Sequence, residues 1–391
     1  MSTAWPAPRL RHTSAVRHID FSYQWRPEAG TASPPDPTSP LRNALMDLLQ
    51  AVRSSGSISA AAKSLSLSYR HVWGELKRWE ILLNQALIVW EKGQPARLTE
   101  FGDKLLWAER QAQARLAPQI SALQAEMEKT FAAAFDPDIH LLTLFASHDD
   151  ALVLLQQFSA QQSLHLDMRF CGSVDAIRAL NEGRCKIAGF HAPMHPSAQS
   201  LIARTYKPLL QTGQHKIMGF ALRQQGLLVA PGNPLGIHSL SDLTRAPIRF
   251  INRSLGTGTR LLLDEGLANA GILPQQIQGY TQEESSHAAV AACVAAGQAD
   301  AGLGIASAAR AQGLDFVPLL QECYWLACLK SVLDTPAVQL LARILASQDW
   351  QVQMNTLPGY APSPGPGQVQ SLKKALPWWP FKNEGAAATQ G

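Results

Sequence analysis

The sequence predicts a multidomain α+β protein: a small helical unit closed by a β-hairpin, one long connecting helix, and a larger two-lobed α/β unit. Three observations predict it. Apolar residues recur at helical spacing three times between residues 41 and 84, then give way to two short extended runs. From residue 99 to about 135 the chain is rich in Ala, Gln, Leu and Arg, the composition of a long helix. Beyond residue 136, strand-like apolar runs take turns with helical stretches, the rhythm of an α/β sheet. The 391 residues, 46% hydrophobic and 16% charged, suffice for two or three cores and exclude wholesale disorder.

Residues 1–40 read as an extension: Phe21, Tyr23 and Trp25 alternate as a short strand would, and residues 30–40 form a Pro-rich linker. In the unit 41–98, Leu41, Ala44, Leu45, Leu48, Leu49 and Val52 share one helix face that ends at Gly56. Ser57 caps a second helix with Ile58, Ala61, Ala62 and Leu65 inward. Ser68 caps a third, from 69 to 84, with Val72, Leu76, Trp79 and Leu83 inward. Residues 87–90 and 96–99 form a hairpin around a polar tip. The helix 99–135 should kink or split at Pro118, which lacks an amide hydrogen. In the unit 136–361, strands are expected near 141–145, 164–170, 186–190, 226–230, 248–252 and 301–305. Helices are expected near 151–158, 174–180, 259–270 and 286–296. The sheet should be largely parallel and divided into two lobes. Residues 362–391, rich in Pro, Gly and Ala, read as a C-terminal tail with a disordered end.

Composition narrows the function. The longest uncharged apolar stretch, Ala288–Ala296, is less than half of the roughly 20 residues that span a bilayer. No signal-peptide core opens the chain, so a cytoplasmic protein without a membrane partner is expected. Five irregularly spaced cysteines (171, 185, 293, 323 and 328) argue for buried thiols over disulfides or a zinc site. If the segment holding Cys323 and Cys328 is a strand, their odd spacing puts them on opposite faces. The net charge of +4 lies wholly in residues 1–135, with 16 basic and 12 acidic residues against 18 of each in the remainder. That fits a polyanion partner for the N-terminal part.

Three helices and a hairpin in that part form a winged helix-turn-helix pattern, whose third helix offers its N-terminal residues to base edges in the major groove. Ser57, Ser68, Tyr69, Arg70, Trp73, Lys77 and Arg78 are the candidate contacts on the helices, with Lys92 and Arg97 on the wing. Arg70, Trp73 and Lys77 share a face. Arg70 has the fork to read a guanine, and Lys77 and Arg78 suit phosphates. The wording Gly56-Ser57-Ile58-Ser59-Ala60-Ala61-Ala62-Lys63, then Leu67-Ser68-Tyr69-Arg70-x-x-Trp73, resembles the DNA-binding domain of LysR-type regulators and of the bacterial molybdate-dependent repressor. Leu98-Thr99-Glu100-Phe101-Gly102 is similar to the "LT-x-x-G" ending the wing in both. The resemblance covers residues 41–110. It implies a double-stranded operator as partner and a linker helix that pairs with its copy in a homodimer or homotetramer.

In the α/β unit, hydroxyl residues sit at four expected helix starts: Ser147-His148-Asp149-Asp150, Gly172-Ser173, Gly256-Thr257-Gly258-Thr259-Arg260 and Ser285-Ser286-His287. Helix N-termini with added hydroxyl donors suit a small oxyanion. Their order resembles a periplasmic-binding-protein-like domain of type II, close to the molybdate-binding proteins of bacterial importers. Residues 138–360 carry this resemblance. It implies that Ser147 and Ser173 bind from one lobe and Thr257, Gly258 and Thr259 from the other. Ser286 and His287 would open a helix there, with the Tyr324 hydroxyl reaching the anion. His148, His287 and Arg260 depart from a site of neutral groups by bringing positive charge, and Asp149 and Asp150 would repel an anion unless they point away. Molybdate or tungstate is the expected effector, with formate or an organic acid as the alternative. No cofactor or metal is required.

An enzyme is not expected. Ser147, His148 and Asp149 are chain neighbours and cannot form a nucleophile–base–orienter relay. Gly256-x-Gly258 lacks the third glycine of a dinucleotide fingerprint. The remaining alternative is a DNA-binding dimer that needs no ligand.

Overall fold

The computed structural model describes residues 43–90, 94–135, 139–194 and 197–379; the expected 1–40 extension and the tip of the hairpin lie outside them. The first unit begins with α1 (Ala44–Ser55), α2 (Ile58–Ser64) and α3 (Tyr69–Leu83). Asn43, Ser57 and Ser68 cap them, accepting from the amides of Leu45, Ala60 and His71. Gly56 ends α1 at φ +62°, a conformation glycine adopts without a Cβ clash. β1 (Ile88–Val89) and β2 (Arg97–Leu98) pair antiparallel as the wing. Leu49, Val52, Ala61, Val72, Leu76 and Leu87 are wholly buried in one core. Leu65, at the end of α2, and Trp79 and Leu83, in the second half of α3, were expected inward and are only partly buried.

α4 (Glu100–Phe135) follows as 36 uninterrupted residues with Pro118 inside. The expected split does not occur. Pro118 cannot donate to the Ala114 carbonyl one turn back, and that carbonyl instead accepts the Ser286 hydroxyl at 3.1 Å.

The α/β unit then runs β3 (His140–Ala146), α5 (Asp150–Ala160), β4 (Leu164–Phe170), α6 (Ser173–Asn181), β5 (Ile187–Pro193), α7 (Leu201–Tyr206), β6 (His215–Val229), β7 (Phe250–Arg253), α8 (Gly258–Asn269), β8 (Glu283–Glu284), α9 (His287–Ala295), β9 (Ala301–Ile305), α10 (Ala306–Ala311) and β10 (Asp315–Leu329). α11 (Pro336–Ala346), α12 (Gln348–Met354), β11 (Tyr360–Pro362), β12 (Val369–Ser371) and α13 (Leu372–Ala375) complete it. The sheet order is β4-β3-β5-β10-β6-β9-β7-β8, with β11 and β12 on β6.

The outer strands are parallel, as expected, but the centre is not. β6 and β10, 15 residues each, pair antiparallel with one another along their length. One half of this ribbon serves each lobe: β10 pairs with β5 through Glu322–Ala327, and β6 pairs with β9 through Gln225–Val229. Cys323 and Cys328 lie in separate apolar clusters, the opposite faces their spacing implies. The expected tail from residue 362 needs correction. As far as Trp379 it belongs to the domain: β12 pairs with β6, and Leu372, Leu376 and Trp378 are 1% exposed in the first lobe's core. Among the described residues no helix is long and apolar enough to cross a membrane.

Candidate functional site

Two surfaces collect the candidate residues. On the first, α3 and the wing form one outward face. Ser57 and Ser68 spend their hydroxyls on capping α2 and α3, so they offer a ligand a helix start and not a free side chain. Arg70 is exposed, and no ion pair or side-chain hydrogen bond engages it among the described residues. Tyr69, half exposed, stacks on Trp73 with ring centroids 6.5 Å apart and planes 6° apart. Trp73 meets the edge of Trp90 at 6.1 Å. Lys77 lies 4.8 Å over the Trp73 ring and pairs with Glu80 at 2.7 Å. Arg78 pairs with Glu75 at 2.6 Å, and Arg97 is exposed on β2. Lys92 lies outside the described residues. Trp90 escaped the sequence reading; its signal is a large aromatic at the exposed end of a hairpin strand.

The second surface lies between the lobes. β3 delivers Ser147, buried, whose hydroxyl has no partner among the described residues. The Tyr324 hydroxyl, from the central ribbon, donates to the Ser147 carbonyl at 3.4 Å. Its ring packs against His191 of β5, tilted by 33° with centroids 3.8 Å apart. His191 Nδ1 lies 3.5 Å from the Ser173 hydroxyl at the start of α6, while its Nε2 has no partner.

From the other lobe, the Thr259 hydroxyl accepts from Gln225 at 3.0 Å and sits 3.5 Å from His287 Nε2. His287 Nδ1 has no partner. Gly258 is where the lobes touch: a Cβ there would lie 2.9 Å from that of His191. Gly172 and the Gly256 carbonyl approach as closely, so the lobes are closed on each other.

The charges explain the chemistry. Arg223, wholly buried, pairs with both Asp149 and Glu322. Asp149 also accepts from the Tyr360 hydroxyl at 2.8 Å, and Asp150 accepts from Ser307 at 2.6 Å. Both acids are thus turned to partners and do not face an anion bare. Arg253 differs. It is 2% exposed, donates to the Glu284 carbonyl at 3.0 Å, and has no carboxylate within 4 Å among the described residues; its Nε is unpartnered. Burial, with Arg223 nearby, pulls its pKa down to about 9. Burial and the same two guanidiniums hold His191 and His287 neutral, well below the usual histidine range. Burial takes His148, whose ring meets Phe170 at 4.8 Å, to about 4. The histidines therefore do not bring the positive charge expected of them. The result is a desolvated guanidinium surrounded by neutral hydroxyls and imidazoles, which leaves its charge without a partner carboxylate among the described residues.

Three expected ligands are otherwise engaged. Arg260 pairs with Asp264 at 3.0 Å and Glu283 at 2.6 Å, which neutralise it away from the cleft. The Thr257 hydroxyl donates to Ser254 and accepts from the Arg260 amide. The Ser286 hydroxyl caps Ala289 and reaches α4. Sequence reasoning missed His191, Arg253 and Gln225 as site residues. A lone histidine inside the otherwise apolar run 187–193 was the available signal for the first. No group of three His, Cys, Asp or Glu side chains among the described residues is placed to hold a metal.

Comparison with known proteins identifies two units of the chain. The description "Bacterial regulatory helix-turn-helix protein, lysR family" matches residues 44–103, and "PBP superfamily domain" matches residues 155–346. The uncharacterised protein YvgK of Bacillus subtilis (strain 168) is 31% identical over 248 residues, 63% of this chain and 78% of that protein. An uncharacterised protein from the 5′ region of a 2Fe-2S ferredoxin gene of Clostridium pasteurianum is 37% identical over 101 residues, covering 26% of this chain and 89% of that one. The crystal structure of full-length BenM superposes with a TM-score of 0.38 at 16% identity, over 76% of this chain and 93% of that one. Residues 44–103 therefore carry a helix-turn-helix unit of the bacterial lysR-family kind and residues 155–346 a PBP-superfamily domain, and the chain as a whole is similar to YvgK over most of that protein's length.

Proposed function

We propose that this regulator senses a small anion between the lobes of its C-terminal domain and alters its grip on a double-stranded operator accordingly. One observation carries the reading. Among the described residues, Arg253 is a buried cation without a carboxylate partner, in a closed cleft where Ser147, His191 and His287 each keep an unpartnered polar atom. Orphaned buried donors are costly, and one oxyanion would satisfy several at once. Ser147, Ser173, His191, Arg253, Gly258, Thr259, His287 and Tyr324 form the proposed site. Molybdate or tungstate is the first candidate ligand, on the resemblance of the motifs. The single uncompensated charge of Arg253 favours a second, a monoanion such as formate.

On the DNA side, Tyr69, Arg70, Trp73 and Lys77 enter the major groove while Arg97 and the wing hold the backbone. A homodimer or homotetramer in the cytoplasm would read half-sites about one helical turn apart, or a multiple of it. Calorimetry on the full chain with molybdate, tungstate, sulfate and formate tests the reading. Heat with at least one, lost in Arg253→Met and weakened in a Ser147→Ala/Ser173→Ala variant, is the expected result. No heat with any of them would leave a ligand-independent DNA binder.

A further inference from the structure

The first turn of α9 has two faces. One belongs to the cleft, through the unpartnered Nδ1 of His287. The other is covered by α4, the helix that carries the DNA-binding unit. Ala114 of α4 packs with Ala288, Ala289 and Ala292. Small residues on both sides let the two helices approach closely. Polar contacts then fix the register. The Ser286 hydroxyl donates to the Ala114 carbonyl that Pro118 leaves open. Gln111 donates to Gln298 at 2.9 Å and to the Cys293 sulfur at 3.2 Å. Arg115 grips the Glu284 carboxylate with both Nε and Nη2, at 2.5–3.2 Å.

Glu284 is the hinge of this arrangement. Its side chain, 6% exposed, faces α4. Its carbonyl accepts from Arg253, its register partner across β7 and β8. One residue therefore separates the cleft's only carboxylate-free buried guanidinium, among the described residues, from the linker helix.

We propose that Arg115 is a positioning residue that couples the anion site to the DNA-binding unit through Glu284. This rests on the anion reading above. An anion that draws on Arg253 changes how firmly the Glu284 carbonyl is held, and with it the strand that aims the Glu284 carboxylate at Arg115. The start of α9, two residues further on, moves with that strand. The signal passes because the docked and undocked positions of α4 then differ in their preference for the anion, which is the condition for any coupling between two sites.

The test uses the full chain as wild type, Arg115→Ala and Arg115→Lys, with molybdate and formate as separate probes. Arg115 is half exposed on a helix surface, so its removal spares both cores. Operator affinity is measured with and without each anion, and anion affinity by calorimetry. The wild-type ratio of operator affinities should lie in the range of about 5–150-fold typical of coupled sites. Arg115→Ala should still bind the anion while that ratio falls below about twofold, and Arg115→Lys should lie between, keeping the charge but losing the two-pronged grip. A wild-type ratio in Arg115→Ala overturns the coupling. Hydrogen exchange without ligand separates the two readings. Faster exchange over Ala289–Ala295 in Arg115→Ala supports the latch even if neither anion binds, an outcome that sinks the anion reading alone. Unchanged exchange overturns the latch.

Discussion

Arg70 and Arg253 carry the same charge and opposite environments, and that contrast assigns their roles. Arg70 is in water with nothing to hold it, free to give its fork to a base edge. Arg70→Ala should relax base preference at one operator position and cost about 1–3 kcal/mol, read by binding to operators substituted base by base; an unchanged profile removes it from base reading. Arg253 is dry and lacks a carboxylate partner among the described residues, so its replacement should act on the proposed anion. The histidines make a further prediction. The pKa of His148 drops to about 4 in the fold, and His191 and His287 are also depressed. Below about pH 6.5, the unfolded chain takes up protons that the folded one refuses. Stability should therefore fall as pH drops from 6.5 toward 4, by about 1.4 kcal/mol per unit for each histidine that stays neutral. Urea unfolding at pH 7 and pH 5 checks this. Caps such as Ser57 and Ser68 were legible in the sequence because they work locally. Arg253 was not, since its significance is a missing neighbour. Arg260 misled although one partner was in plain view: Asp264 lies one helical turn on, at i+4, while Glu283 becomes a neighbour only in the fold.

At the scale of elements, local periodicity served the first unit well. α1, α2 and α3 start at residues whose side chains cap them, and α1 and α3 stop at left-handed residues, Gly56 and Asn84. The same approach failed for β6 and β10. β6 is buried over most of its 15 residues and β10 over the continuous run Glu322–Cys328, so neither shows the alternation of a half-exposed strand. It failed also beyond residue 362, where sparse apolar residues in a Pro- and Gly-rich stretch still reach a core. Removing residues 363–391 would strip Leu372, Leu376 and Trp378 from that core. At about 1.5–3 kcal/mol for each large apolar side chain, the loss rivals the whole stability of a typical domain. The truncated chain should unfold at much lower temperature or fail to stay in solution. Gly258→Ala probes lobe closure: its Cβ would press on His191, so anion affinity should fall at least about tenfold while operator binding without the anion persists.

The whole molecule is a chain of three bodies whose charge is divided between them. The surplus of basic residues lies with the DNA-binding unit and linker, while the effector domain is balanced, and that asymmetry was readable from the start. How the bodies meet was not, because it depends on a carbonyl freed by Pro118 and on a carboxylate 169 positions from the arginine it holds. On the outer face, Trp73 leaning on Trp90 ties the third helix to the hairpin. A duplex gripped by both must then present its groove and its flanking strand at one fixed pitch. Tracts that resist that pitch would be refused without a single base being misread.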